Sequence, residues 1–306
     1  MSEHRKPLLN KVMVASDTTD GMDVALEKAA VIEHYSGAAI HVLEVVYDTI
    51  AEEPARVLPA ADKANLIENL KAAERNALNR LAGPYREKVA ELETRVVWHK
   101  NPAEGVLREL AGVDFLIKPI ARHHAVLDRL HAPLDWTLAR EAPCPVLISK
   151  RPWKDVHTVL AALDAGDESH QALNREILAT AVELSLILGC DLDVVSAYPS
   201  LGQTVNELQV AMDYEGIKGD MREARRTHID ALIHELDATV REVHLLEGSA
   251  RDAIPELAND MGAVLTVLGT AARRGLSQLI LGNTSESIIG ALDGDLVTVR
   301  ERADRD

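Results

Sequence analysis

The chain has 306 residues, of which 49 are Asp or Glu and 33 are Lys or Arg, so its formal net charge is −16. This acidic balance opposes functions that need a broad basic surface, such as binding of a nucleic-acid backbone or an anionic membrane. No stretch of the sequence reaches the roughly 18 consecutive apolar residues of a membrane-spanning helix. The two cysteines, Cys144 and Cys190, are too far apart for a disulfide framework or a structural zinc site. We therefore predict a cytoplasmic protein that binds neither nucleic acid nor membrane.

The first half of the chain alternates short apolar strands with helices. One helix is indicated where Leu66, Leu70, Ala73, Ala77 and Leu81 recur at spacings of three or four residues and so share one face. The other predicted elements, in chain order, are a strand Lys11–Ser16, a helix Met22–Tyr35, a strand Ala39–Val46, a strand Thr94–His99, a helix Pro102–Leu110, and the strands Phe115–Ile117 and Val146–Ser149.

The second half repeats the first. Val12-Met-Val-Ala-Ser-Asp17 returns as Val159-Leu-Ala-Ala-Leu-Asp164, an offset of 147 residues (164 − 17), and Asn101–Leu110 matches Gly248–Leu257 at the same offset. A period of this length indicates a duplicated domain. Its predicted elements are a strand Thr158–Leu163, a helix Ser169–Leu188, a strand Leu192–Ala197, a helix through Ile229, Leu232, Ile233 and Leu236, a strand Val240–Leu246, a helix Ala250–Ala258, and the strands Val264–Leu268 and Val297–Arg300.

Strands that alternate with helices at this spacing predict βαβ units and a parallel sheet in each half. The expected fold class is α/β, with two tandem doubly wound, Rossmann-like domains. We place them at residues 1–150 and 155–302, joined by the short segment Arg151-Pro-Trp-Lys154. In such sheets, ligands bind at the carboxyl ends of the strands, near the switch in strand order.

The loops that follow the strands indicate which kinds of ligand-binding site the sequence can form. Neither first strand is followed by G-x-G-x-x-G, and no G-x-x-x-x-G-K-[ST] loop occurs, which disfavours a dehydrogenase and a P-loop ATPase. After the fourth strand of the second half, Gly269-Thr-Ala-Ala-Arg-Arg-Gly275 and Gly282-Asn-Thr-Ser285 could expose backbone N–H groups to a phosphate. The alternative is that these glycines mark turns without a ligand.

With these residues the sequence resembles the universal stress protein family, in particular its tandem two-domain (UspE-like) members, over nearly the whole chain. The resemblance rests on the strand ends at Asp17 and Asp164 and on the Val-Leu-Gly-Thr run at 267–270. It also rests on Gly282-Asn-Thr284, and on Asp135-Trp-Thr137 at the repeat-equivalent position (282 − 135 = 147). The resemblance implies a fold like that of the adenine nucleotide alpha hydrolases. It further implies two domains related by a pseudo-two-fold axis and paired through their last strands, an intramolecular counterpart of the dimers formed by single-domain members.

ATP-binding members of the family carry G-x-x-G, nine residues and then G-[ST]. Here Gly269 and Gly282 match the first and last glycines, Ala272 replaces the middle glycine, and Asn283 replaces the Ser or Thr. The resemblance implies a site for ATP or another adenine nucleotide in the second half. Its residues would be Asp164 near the adenosine, the Ala197 backbone at the adenine, and, around the ribose and phosphates, Gly269, Ala272, Gly275, Gly282, Asn283 and Thr284.

The first half departs further from this pattern. We expect Lys118 to take the place of Gly269, and no glycine occurs between Val113 and Ser149. This half is therefore predicted not to cradle a triphosphate.

Several other groups have simpler explanations. His123, His124 and His131, with Asp128, could form a zinc site, but a solvated loop is the favoured interpretation. The acids from Asp17 to Asp23 are off the spacing of a calcium loop, so helix capping is expected. Cys144 is interpreted as a buried inert thiol, and the cluster Arg222, Arg225 and Arg226 as a solvated helix face.

No constellation resembles a catalytic site, so we expect no enzyme and no metal. The predicted function is a role in the stress response, through binding of a small ligand or of protein partners, with a homodimer as one option. Two alternatives stay open at this point: a nucleotide-free scaffold, and a carrier of another small, partly apolar molecule.

Overall fold

The computed structural model describes residues 9–16, 21–54, 57–120, 133–154, 157–200, 214–270 and 290–301. The chain divides into two compact units, Met1–Pro152 and Trp153–Asp306. Among the described helices, none combines the length and apolar character that crossing a bilayer requires.

The first unit is a parallel sheet with connecting helices. Its strands are β1 (Lys11–Ser16), β2 (Ala39–Val46), β3 (Leu92–Trp98), β4 (Phe115–Pro119) and β5 (Val146–Ser149). Its helices are α1 (Met22–Ser36), α2 (Ala60–Ala82), α3 (Pro102–Glu109) and α4 (Pro133–Glu141), with 3₁₀ turns at Thr49–Glu52 and Gly83–Tyr85. The strand order is β3-β2-β1-β4-β5, and every pairing is parallel.

The second unit has the same architecture. Its strands are β6 (Thr158–Ala162), β7 (Asp191–Tyr198), β8 (Glu242–Glu247), β9 (Leu265–Gly269) and β10 (Asp295–Val299). Its helices are α5 (Gln171–Leu188), α6 (Tyr214–Glu235) and α7 (Ala250–Asp260), with a 3₁₀ turn at Glu168–His170 before α5. The strand order is β8-β7-β6-β9-β10, again with parallel pairings.

Burial explains why these segments form central strands. Every residue of β4, β5, β6 and β10 is buried, as expected for strands of a parallel sheet that carries helices on both faces. Two helices end at glycines in the left-handed conformation: Gly37 (φ 72°) follows α1 and Gly189 (φ 62°) follows α5. The predicted α/β class and parallel sheets are thus confirmed, although the third strands begin at Leu92 and Glu242 rather than at Thr94 and Val240.

Strand register corrects the repeat offset in the later part of each half. Val12 of β1 lies opposite Phe115 of β4, whereas its counterpart Val159 of β6 lies opposite Leu265 of β9, so the fourth strands are 150 residues apart (265 − 115). The offset differs from strand to strand, because Ile40, opposite Val12, and Leu192, opposite Val159, are 152 residues apart (192 − 40).

The offset between the fourth strands changes one predicted equivalence. The counterpart of Gly269 is Pro119, and the prediction of Lys118 is wrong by one position. The last strands keep the offset of 150, because Leu116 pairs with Val146 and Thr266 with Leu296. The predicted match between Gly282 and Asp135 is not tested, because Gly282 lies outside the described residues.

Candidate functional site

The switch in strand order of the second unit lies between β6 and β9. From β6 the chain passes to β7 on one side, and from β9 to β10 on the other. Ala162, the last residue of β6, lies opposite Val195 of β7 and Leu268 of β9. Asp164, Ala197 and Gly269 therefore lie at one edge of this sheet, where parallel α/β sheets bind ligands. The other predicted site residues, Ala272, Gly275, Gly282, Asn283 and Thr284, lie outside the described residues.

Asp164 is held by its backbone and exposes its carboxylate. Asn174, in the first turns of α5 and 7% exposed, accepts a hydrogen bond from the Asp164 N–H (3.0 Å) and donates one to its carbonyl (2.8 Å). The Asp164 side chain is 58% exposed, and its Oδ2 lies 2.8 Å from His170 Nδ1. The other carboxylate oxygen makes no hydrogen bond or ion pair to another described residue, so it can accept a hydrogen bond at the sheet edge. This geometry can bind a hydroxyl or an amine.

Gly269 serves the packing of α5. A Cβ placed on this glycine would lie 2.6 Å from Leu173 Cδ2, 2.8 Å from Leu173 Cγ and 2.9 Å from Ile177 Cδ1. Carbon atoms in favourable contact lie about 3.5–4.0 Å apart. The close approach of α5 to the end of β9 thus accounts for a glycine here, whether or not a ligand binds.

Two side chains of α6 close over the loop that follows β6. The Arg225 guanidinium carbon lies 5.9 Å from the centroid of the Tyr198 ring, and a Cβ at Gly166 would lie 2.9 Å from that same atom. His228 Nδ1 lies 3.1 Å from the Ala165 carbonyl. The prediction that Arg225 belongs to a solvated face is therefore wrong, because its guanidinium packs on a glycine and an aromatic ring.

The other two arginines of that cluster do lie on the exposed surface. Arg226 forms an ion pair with Asp230 one helical turn later, with Nε to Oδ distances of 2.8 and 2.9 Å. Arg222 is exposed.

A buried carboxylate that sequence reasoning missed lies on β7. Asp193 is fully buried and accepts hydrogen bonds from Arg241 Nε (2.9 Å) and Nη2 (2.6 Å), and its Oδ2 lies 3.0 Å from His244 Nε2. Burial by itself raises the pKa of Asp193, but the hydrogen bonds from Arg241 and His244 outweigh it and lower that pKa below its ordinary value. No local signal in the sequence marks this pair, since Asp193 and Arg241 are 48 residues apart.

The same cluster has the donor types of a metal site. One ligand atom each from Asp193, Glu242 and His244 lies within 4.8 Å of the others. Because Arg241 already occupies both Asp193 oxygens, the arrangement fits an ion pair that joins β7 to β8 better than a cation.

In the first unit the end of β4 lies against the start of α1. A Cβ at Gly21 would lie 2.7 Å from the Ile120 carbonyl oxygen and 3.1 Å from Pro119 Cβ. Each of these two elements carries a buried lysine. Lys118 of β4 donates from Nζ to the Pro119 carbonyl (2.7 Å), and Lys28 of α1 donates from Nζ to Ser149 Oγ (2.8 Å). This edge is built differently from its counterpart in the second unit.

The remaining sequence candidates are quickly placed. Cys144 is buried. Asp17, Asp128 and the three histidines His123, His124 and His131 lie outside the described residues.

Comparison with known proteins places the chain. A profile of the universal stress protein family matches residues 9–150 and 156–300. Universal stress protein E of Photorhabdus laumondii subsp. laumondii is 28% identical over 302 residues, which cover 94% of each chain. Universal stress protein E of Escherichia coli strain K12 is 26% identical over 304 residues, 96% of this chain and 94% of the relative.

Solved structures agree. A protein of unknown function from Pseudomonas aeruginosa PAO1 is 28% identical, with a TM-score of 0.71 over 97% of this chain and 94% of its own. A universal stress protein from Archaeoglobus fulgidus DSM 4304, 14% identical, has a TM-score of 0.63 over 97% of this chain and 98% of its own, and it supports the fold alone. The predicted resemblance to a tandem member is thus confirmed: the chain belongs to the universal stress protein family and carries the family's domain twice, once in each half.

Proposed function

We propose that this protein acts in the stress response in the cytoplasm, and that its second unit binds ATP or another adenine nucleotide, which regulates contacts with protein partners. Membership of the universal stress protein family supports the stress-response role. The observation that carries the nucleotide proposal is the position of Asp164 and Gly269 on either side of the switch between β6 and β9, with Ala197 on the next strand.

In this proposal each group has a defined task. The exposed Asp164 carboxylate, with its backbone held by Asn174, accepts a hydrogen bond from the adenosine. The Ala197 backbone meets the adenine. The ribose and phosphates are assigned to the motif residues Gly269, Ala272, Gly275, Gly282, Asn283 and Thr284. No catalytic role is proposed for any of these residues.

A nucleotide-free scaffold is the second candidate, and one observation favours it. Gly269, the described glycine of the motif, is accounted for by the packing of Leu173 and Ile177. A motif glycine kept for packing would persist in a protein that had lost its nucleotide. A carrier of another small molecule is a third candidate function. Identifying the small molecules that the denatured protein releases would distinguish it from the other two.

Thermal unfolding of the full-length chain with and without Mg-ATP tests the proposal. A ligand at 100 times its Kd stabilises the folded state by about 2.7 kcal/mol, so a clear rise in melting temperature is expected. Asp164→Ala should abolish most of that rise. Asp220→Ala removes an exposed acid from α6 of the same unit and should leave the rise intact.

The outcomes are distinct. No rise with millimolar Mg-ATP, together with protein that releases no small molecule on denaturation, would favour the scaffold. Release of a different compound, identified by mass spectrometry, would favour the carrier. Steady ATP hydrolysis by the purified chain would overturn the assignment as a non-enzyme.

A further inference from the structure

A cavity of 330 Å³ lies in the second unit between the first turns of α5 and the second half of α6, above the end of β6. Its volume falls at the lower end of the roughly 300–1,000 Å³ typical of small-molecule sites. The apolar part of its lining is buried: Leu163, Ala165, Ile229 and Leu232 are each no more than 8% exposed. The cavity therefore offers a dry floor to an apolar group.

This cavity lies beside the proposed nucleotide site, and Asn174, which holds the Asp164 backbone, contributes to its lining. None of Asp164, Ala197 and Gly269 lines it, although Asp164 stands between two residues that do. A ligand in the cavity would contact α5 and α6.

The polar part of the lining is rich in hydrogen-bond acceptors. Three carboxylates contribute: Asp167, Glu168 and Glu235. The Asp167 carboxylate accepts from the Ser169 N–H (2.8 Å) and from the Ser169 side chain. One oxygen of Glu235 lies 2.9 Å from Arg175 Nε, which leaves the second oxygen of Glu235 available. Glu168 makes no hydrogen bond or ion pair to another described residue, and among the described residues no lysine or arginine lines the cavity.

His228 adds a further acceptor. Its Nδ1 lies 3.1 Å from the carbonyl oxygen of Ala165. A carbonyl oxygen can only accept, so Nδ1 carries the hydrogen, and in the neutral ring Nε2 is then an acceptor. The lining thus presents negative charge and acceptors around an apolar floor, with the amide groups of Gln171 and Asn174 as its side-chain donors.

We infer that this cavity is a second ligand site, for a small primary amine with an apolar body. An ammonium group supplies positive charge and three N–H donors, which complement the acceptors of the rim, and the hydrocarbon part covers the floor. Phosphates and carboxylates are disfavoured, because the lining carries three carboxylates and, among the described residues, Glu235 alone of them forms an ion pair, with Arg175. The ligand class is therefore the opposite of a nucleotide in charge.

Calorimetric titration of the full-length chain with phenethylamine and isopentylamine tests the inference. At pH 7 both amines should bind, whereas 2-phenylethanol should bind at least tenfold more weakly and phenylacetate should not bind. The double variant Glu168→Gln/Glu235→Gln should lower the affinity for both amines at least tenfold. The titrations contain no nucleotide, so their result does not depend on the nucleotide proposal.

A matched pair of variants on α6 controls for nonspecific effects. Ala231 is exposed and lines the cavity, so Ala231→Phe should fill it and abolish amine binding. Ala224 is also exposed but lies two turns earlier, outside the lining, so Ala224→Phe should bind the amines as wild type does. Failure of both amines to bind, equal binding of phenylacetate, or amine binding that survives Ala231→Phe would each overturn the inference.

Discussion

Substitution of Gly269 by alanine separates the packing role of this glycine from a ligand role. The added Cβ would lie 2.6–2.9 Å from side-chain carbons of Leu173 and Ile177, about 1 Å closer than favourable carbon contacts. Because one of these atoms is the branching Cγ of Leu173, the strain cannot be relieved by rotation of a methyl group alone. Overpacking of this kind costs about 1–3 kcal/mol. At about 2–4 °C per kcal/mol for a domain of this size, the melting temperature should fall by about 2–12 °C.

The assay is calorimetric unfolding of the full-length chain in the absence of any nucleotide. Gly219→Ala is the control in the same unit, since it lies in α6 with no atom within 4 Å of the added Cβ. That control should be stabilised by about 0.5–1 kcal/mol, because glycine is unfavourable inside a helix. The double variant Gly269→Ala/Leu173→Ala should lose at least about 0.5 kcal/mol less stability than the two single losses added together.

Either of two results would refute the packing argument. One is a Gly269→Ala protein as stable as wild type without nucleotide. The other is a loss of stability that appears only when Mg-ATP is present, because a steric conflict with Leu173 does not depend on a ligand.

Three further predictions concern the polar contacts of the second unit. Arg241→Met should destabilise the protein by about 2–4 kcal/mol in urea unfolding. This is less than the roughly 3–5 kcal/mol lost when a fully buried pair is broken, because the Arg241 side chain is 45% exposed. An unchanged unfolding midpoint would show that the Asp193 carboxylate does not need Arg241. Because the folded pKa of Asp193 is lowered, its contribution is complete above its unfolded pKa of about 3.9 and is lost as the pH falls through the folded value. Wild type and Arg241→Met should therefore converge in stability below about pH 4, and a gap that stays constant down to pH 2 would contradict this sign. Asn174→Ala should cost about 1–3 kcal/mol and speed hydrogen exchange at the Asp164 amide, whereas an unchanged exchange rate would show that the amide is protected in another way.

Continuous apolar segments made the fold predictable from the sequence. A parallel sheet covered by helices buries both faces of its strands, so β5 and β6 are apolar except for one terminal residue each, Ser149 and Thr158. Asp164 could be placed for a related reason, since it follows such a segment directly and the carboxyl ends of parallel strands form one edge.

The contacts around the site could not be predicted in the same way. Arg225 looked like one of three arginines on a polar helix, and only the fold shows that it reaches Gly166 and Tyr198. The equivalence of Gly269 with Pro119 was hidden because the offset between the two halves changes from strand to strand, which the register shows and the sequence does not. Long-range partners and helix lengths are set by packing, and one sequence carries little local trace of either.

In each unit the first helix packs closely against the end of the fourth strand, and a glycine makes this possible. The glycine belongs to the strand in one unit and to the helix start in the other. In the second unit the glycine is Gly269 on the strand, and in the first it is Gly21 at the start of the helix. The residues at this contact therefore cannot be exchanged one for one between the two units. Replacing Pro119 by glycine would remove the Pro119 side chain beside Gly21, but the Ile120 carbonyl would still lie against Gly21. A single substitution therefore cannot give the first unit the arrangement of the second. Both the helix side and the strand side of this contact would have to change.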